Sequence, residues 1–401
     1  MQETWDVVVV GCGGIGSAAA YWLAQAPGVR VLVLERHRIG HPHGASDDHS
    51  RIVRLSYHAP EYIALAQAAY DAFAALEEDS GLTLVVKTGG LDLEWIGTEG
   101  RRDVSRCAAS LQAAGIPYEL LDADDVMRRW PQWRLLDGMR ALYQADSGLV
   151  DARKAVAAHV ALARLRGVTV REGSPVLSIR MDGGGYRVET ADDVYLAARV
   201  IVAADAWTNQ VLAGLDVTWP LAVTQEQVTW FATPHIRAFA PERFPVWIWR
   251  GNREFYGFPV YGEVATKAGE DVGGDEIDIT TRDYQPNMAT HTRLLDFLST
   301  YLPDSLGPEL GTKTCIYTMP PDRAFILDRL PQHPGVAVAV GAGHAFKFSG
   351  LFGRILSDLV LDGTTPYPID AFRCERPALT DPTFVPTWRH QAAEGRSGAP
   401  D

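Results

Sequence analysis

The sequence predicts an α/β fold: a Rossmann-like domain assembled from discontinuous segments, plus a second α+β domain with a mixed or antiparallel sheet. Three observations carry this. A continuous β-branched run at residues 5–10 leads into Gly11-Cys12-Gly13-Gly14-Ile15-Gly16 and then an amphipathic stretch. A second apolar run, residues 336–340, leads into Gly341-Ala342-Gly343 and another helical stretch near the far end of the chain. Between them lie strand-like segments rich in aromatics, most densely at residues 223–267.

The first run has no polar alternation, as expected of a strand buried on both faces of a parallel sheet. A helix over 15–26 follows, stopped by Pro27-Gly28, and a second strand over 30–34 ends at Glu35. A polar, histidine-bearing loop over 40–50 leads into Arg51-Ile52-Val53-Arg54. Helices are expected over 60–79, 101–114, 152–166, 289–302 and 350–361, and strand character over 82–95. Residues 168–203 read as a meander turning at Gly183-Gly184-Gly185. The chain after Pro377 is rich in Pro, Gly and polar residues and is expected to fray.

The glycine turn carries the first chemistry. Gly11 allows a tight exit from the strand, Gly13 lets backbone approach a pyrophosphate, and Gly16 permits close packing of helix on strand. Phosphates then rest on the free amides of Gly14, Ile15 and the helix start. Glu35, 19 residues beyond Gly16, is placed for the ribose hydroxyls, with Arg36 beside it. Its charge would repel a 2′-phosphate, which disfavours NADP. A dinucleotide site follows, but the turn alone does not separate FAD from NAD.

Composition excludes other classes. The 401 residues suffice for two domains. A net charge of −13 argues against nucleic acid or an anionic membrane as partner. No apolar run reaches the roughly 18–20 residues of a membrane span, and no signal peptide is evident, so a cytoplasmic enzyme is expected. Cys12, Cys107, Cys315 and Cys374 show neither metal spacing nor a disulfide framework. Five of the 37 basic residues are lysine: Lys87, Lys154, Lys267, Lys313 and Lys347. Where arginine is the default cation, a lysine suggests a need for a compact, titratable ammonium.

Four further blocks, with the glycine turn, resemble the monomeric sarcosine oxidase and N-methyltryptophan oxidase family of flavoproteins. They are Ser50-Arg51-Ile52-Val53-Arg54; Phe255-Tyr256-Gly257-Phe258-Pro259 with Lys267 downstream; Lys313-Thr314-Cys315-Ile316-Tyr317-Thr318; and Gly343-His344-Ala345-Phe346-Lys347-Phe348-Ser349. The resemblance spans residues 4–378. It implies FAD, with Ser50, Arg51 and Gly343 among the cofactor-binding residues and Cys315 bonded through sulfur to the flavin ring. Arg54 and Lys347 match two cations that hold a substrate carboxylate, an arrangement that would aim an amino acid's α-carbon. Lys267 matches the lysine that promotes reaction with dioxygen, with an exposed strand-end lysine as the competing account. Tyr256 and Tyr317 match residues lining the substrate cavity, with core packing as the competing account, and His344 falls near the flavin edge, with a satisfied structural histidine as the alternative.

The implied reaction is oxidation of a C–N bond in a secondary or N-alkylated amino acid, giving an imine and, with dioxygen, hydrogen peroxide. The family further implies a monomer. The implied FAD-binding domain comprises residues 1–85, 146–220 and 318–390; the substrate domain comprises 86–145 and 221–317, with 391–401 a frayed tail. Some positions depart from the pattern. Leu55 replaces a histidine, Asp271 stands near the place of another, and Asp205 replaces a glycine. These put simple sarcosine specificity in doubt. Trp230, Trp247, Trp249, Phe255 and Tyr256 hint at a substrate bulkier than sarcosine. A cyclic amino acid or imine in a biosynthetic pathway is one alternative; an NAD-dependent dehydrogenase using only the first motif is another. His37, His41, His43 and His49 crowd one loop, but their spacing fits no regular metal site.

Overall fold

The β-branched run forms the strand Thr4–Val10, flanked in parallel by Val31–Leu34 and Val194–Val202. Val7, Val8 and Val9 are fully buried, each contributing about 2 kcal/mol through burial. The computed structural model describes residues 4–97 and 103–388. Among these, two large sheets and a three-stranded one make up the framework.

The first large sheet runs Val176–Asp182, Gly185–Thr190, Val194–Val202, Thr4–Val10, Val31–Leu34, Thr169–Arg171. Val336–Val340 adds in parallel to Val194–Val202, and Ile326–Arg329 pairs antiparallel to it. The helices Gly14–Leu23 and Ser349–Leu361 pack on each other, so the two glycine-bounded units converge. The second large sheet joins Gly90–Trp95, Met139–Gln144 and Glu119–Asp122 to the later strands Ala222–Phe231, Val246–Arg250, Glu254–Phe258, Thr266–Asp271, Asp275–Glu276 and Glu309–Met319. Its long pair, Ala222–Phe231 with Glu309–Met319, is antiparallel and sets Glu226 opposite Cys315.

Differences from the sequence reading are local. The first helix ends at Leu23, because Gln25 and Ala26 donate to the carbonyls of Trp22 and Leu23, tightening the chain before Pro27. The strand expected over 82–95 divides at Gly89 (φ 73°) into Val85–Lys87 and Gly90–Trp95, which enter different sheets. The helix expected from Arg101 is described from Val104, capped by the Asp103 carboxylate, which accepts from Arg106 N at 2.7 Å.

Fraying does not begin at Pro377. Pro377–Thr380 is a short helix, Thr387 N donates to Pro321 O, and Trp388 is buried against Ala222, Val272 and Met319. Proline and glycine content understated the value of one large indole to bury. Residues 391–401 lie outside the described residues.

Candidate active site

One cavity of about 460 Å³ is lined by residues of both large sheets. It extends from the glycine turn past Cys315 to Arg54 and Lys347, within the size range of cofactor and ligand sites.

At the dinucleotide end, Gly11 has φ 93°, and a side chain there would meet the Ala203 carbonyl oxygen at 2.4 Å. A Cβ on Gly16 would sit 1.9 Å from Gly11 O. Gly16 therefore serves helix-on-strand packing and does not itself line the cavity, whereas Gly11, Gly13, Gly14 and Ile15 do. Gly14 N donates to Ser46 Oγ at 2.8 Å. Buried Glu35 accepts from Cys12 N at 2.6 Å and His37 N at 2.9 Å, and pairs with His41 at 3.2 Å. Burial pushes its carboxyl up; His41 and the two amides outweigh that and hold it below the usual range. Arg36 lines the cavity and stacks over Trp207 at 4.8 Å. This cradle of bare backbone and one ionised acid fits a dinucleotide with free ribose hydroxyls.

Midway, Cys315 faces the cavity from the strand Glu309–Met319. Burial pushes its thiol up to about 11, partly countered by Arg51. The Arg51 guanidinium donates to the carbonyls of Ala45 (3.0 Å), Asp47 and Ser50 (2.9 Å), fixing the loop before Ser50–Val53. Lys267 is 4% exposed, which removes the reading of an exposed strand-end lysine. Its Nζ donates to Asp48 Oδ2 at 2.6 Å and Ser50 O at 2.9 Å, and lies 4.0 Å from the Phe258 ring centroid. Asp48, at φ 97°, holds a backbone conformation that L residues rarely adopt.

At the far end, Arg54 is 11% exposed and is no surface salt bridge: its Nη1 donates to Asp92 Oδ1 at 2.8 Å and it stacks on Tyr57. Asp92 also receives Arg250 at 3.1 Å and the Ser56 hydroxyl, so one carboxylate serves two guanidiniums. Lys347, half-buried on a 3₁₀ turn after Gly343, donates to His344 O at 3.3 Å. Gly343 has φ 77°, and a Cβ there would strike the Tyr317 ring at 2.5 Å. Tyr256 and Tyr317 line the cavity, their hydroxyls held well above the usual range by burial first, then by Cys315 beside Tyr256 and Tyr256 beside Tyr317, and by Asp271 after these. His344 also lines it, its Nε2 3.3 Å from Arg323 O and its ring beside Phe325.

Asp271 meets Arg323 rather than standing as a lone carboxylate: Nη2 contacts its two oxygens at 2.8 and 2.7 Å. Leu55 is buried in the core, and Asp205 lines the cavity with its carboxyl raised to about 6 by burial. Asp48, Asp92, Arg250 and Arg323 were not singled out by the sequence, since no spacing marks them and their partners are distant in the chain. Of the five aromatics, only Tyr256 lines the cavity. Trp247, Trp249 and Phe255 pack in the core around Phe297, so they give no measure of substrate size. The rings of His37, His41 and His43 cluster 4.5–5.7 Å apart. His49 lies instead against Arg153 and Glu263. Among the described residues no group of His, Cys, Asp or Glu has metal-holding geometry, and no helix is long and apolar enough to cross a membrane.

The FAD-dependent oxidoreductase family matches residues 6–359, and the chain belongs to it. Its cofactor is FAD. The chain is 35% identical to a monomeric sarcosine oxidase of Streptomyces avermitilis, over 93% of this chain and 97% of that one. An N-methyl-L-tryptophan oxidase of Escherichia coli is 30% identical, over 93% and 99% of the two chains. Among solved structures, NikD, an unusual amino acid oxidase essential for nikkomycin biosynthesis, superposes with TM-score 0.82 at 30% identity, covering 92% of this chain and 97% of that one.

Proposed function

We propose that this chain oxidises the C–N bond of a secondary or N-alkylated amino acid to an imine and passes the electrons to dioxygen, releasing hydrogen peroxide. The observation that carries this is the single cavity joining the glycine turn, Cys315, Lys267 and the Arg54–Lys347 pair. The relatives' sarcosine and N-methyltryptophan oxidase activities agree with it.

When bound, FAD supplies the two-electron acceptor. The chain's residues supply the rest. Arg54 and Lys347 hold the substrate carboxylate and thereby orient the carbon next to nitrogen. Asp92 orients Arg54 and divides its charge between Arg54 and Arg250. Tyr256 and Tyr317 keep their protons, so they act as neutral walls and donors. Lys267 offers a cation where negative charge develops on dioxygen. We further infer that Cys315 tethers the cofactor covalently. Its place on the cavity wall supports this, and acid-denatured protein is expected to stay yellow whereas Cys315→Ala loses all colour on washing. Complete loss from the wild type would remove the tether.

Asp48 beside Lys267 favours one second reading: the pair offsets the cation, so the acceptor is something other than dioxygen. Peroxide formed one-for-one with an N-methyl amino acid supports the oxidase; oxidation only with an artificial dye supports the dehydrogenase. The expected monomer is checked by sedimentation.

A further inference from the structure

Arg323 lines the substrate end of the cavity, yet no chemistry proposed above uses it. It is 5% exposed. One nitrogen, Nη2, satisfies Asp271, while buried Nε and Nη1 have no hydrogen-bond acceptor among the described residues. Those two nitrogens carry three N–H donors. Neutralising Asp271 therefore explains only one corner of the guanidinium.

The backbone around it is held against its preference. Arg323 has φ 54°. Its N donates to Pro320 O at 2.9 Å, its carbonyl faces His344, and neighbouring Asp322 is gripped by Arg376 at 2.7 and 3.0 Å. Arg376 also donates to Ala324 O at 3.1 Å. A left-handed, non-glycine residue clamped on both sides at a cavity wall is the kind of strain that functional positions retain.

Charge decides what such a donor receives. Arg54, Arg250 and Arg323 face Asp92, Glu254 and Asp271, three cations against three carboxylates, and Glu226, raised to about 7 by burial, adds a fourth acid beside Arg323. Lys347 adds one positive charge, which one substrate carboxylate cancels. A second carboxylate would be in excess; a neutral acceptor would not.

We infer that Arg323, anchored by Asp271, is a specificity-determining donor for a neutral hydrogen-bond acceptor on the substrate side chain, such as an amide or hydroxyl. This rests on the amino-acid oxidase reading. It turns Asp271 from a departure into the anchor of a selective group.

The test uses N-methyl-L-leucine, N-methyl-L-asparagine and N-methyl-L-aspartate, nearly equal in shape, with sarcosine as reference. On the flavin-loaded protein, the asparagine compound is expected to exceed the leucine compound in kcat/KM by about tenfold or more, because an apolar analogue leaves buried donors unpaired. It is expected to exceed the aspartate compound as well. Arg323→Lys keeps a cation for Asp271 but lacks the Nε and Nη1 donors, and its asparagine-to-leucine ratio should fall below about threefold. If that variant does not fold, Arg323→Gln with Asp271→Asn, which removes both charges, carries the same comparison. Equal rates for leucine and asparagine compounds, or a ratio untouched in the variants, overturns the inference; an aspartate preference overturns the neutral acceptor. If no compound, sarcosine included, reduces the flavin, the oxidase reading has failed. The same ranking, taken from dissociation constants read by perturbation of flavin absorbance, then decides the role of Arg323 separately.

Discussion

The two ends of the cavity are built from different materials. The dinucleotide end is mostly backbone: glycines and a single ionised acid, all within residues 11–35 of one strand–helix–strand unit. The substrate end is a lattice of charged side chains, Arg54, Asp92, Arg250, Asp271, Arg323 and Lys347, brought from six separate places in the chain. We propose that the first end holds the cofactor and the second the substrate.

That contrast can be broken at the backbone end first. Gly16→Val puts a side chain into the Gly11 carbonyl, and the protein should purify without flavin or not accumulate. A yellow variant with full flavin content would show that the helix tolerates greater separation. At the other end, Asp92→Asn leaves two buried guanidiniums sharing a neutral amide, and stability should fall by about 3–5 kcal/mol in urea unfolding. A loss under about 1 kcal/mol would mean water already compensates those charges. Smaller in free energy, Lys347→Met should lower kcat/KM by roughly 100-fold, mainly through KM. An unchanged KM removes Lys347 from carboxylate binding.

Between the ends, pH provides the gentlest probe. Burial lowers the Lys267 ammonium to about 8, against the pull of Asp48. If its protonated form assists dioxygen, flavin reoxidation slows as pH rises through about 8, and Lys267→Met is slow at every pH. The stability contribution runs the other way. Unfolded lysine keeps its proton up to about 10.4, so the cost of burying this cation shrinks as pH climbs from about 8 towards about 10.4. A reoxidation rate flat from pH 7 to 9 would detach Lys267 from the oxygen step.

The same contrast explains what the sequence revealed. Residues 5–35 follow one local rule, in which strand, turn, helix and acid sit at fixed spacing, so the dinucleotide site was readable from thirty residues. Cys315, Lys267 and Lys347 were legible only through resemblance; as isolated residues they carry no periodic signal. Arg323 and Asp48 were not legible at all. Their significance is a left-handed backbone and a partner 52 or 219 residues away, neither of which leaves a mark on sequence spacing. The aromatic stretch misled for the opposite reason: a strong local signal, Trp247 and Trp249 among it, is spent on the core around Phe297.

The central claim is that both ends serve one reaction in one cavity. Anaerobic titration of the purified yellow protein with sarcosine and N-methyl amino acids, followed by admission of air, tests it most directly. Full bleaching of the flavin, its recovery in air, and one peroxide per substrate are the predicted results. A protein that purifies colourless, or whose colour no amino acid bleaches, would contradict it.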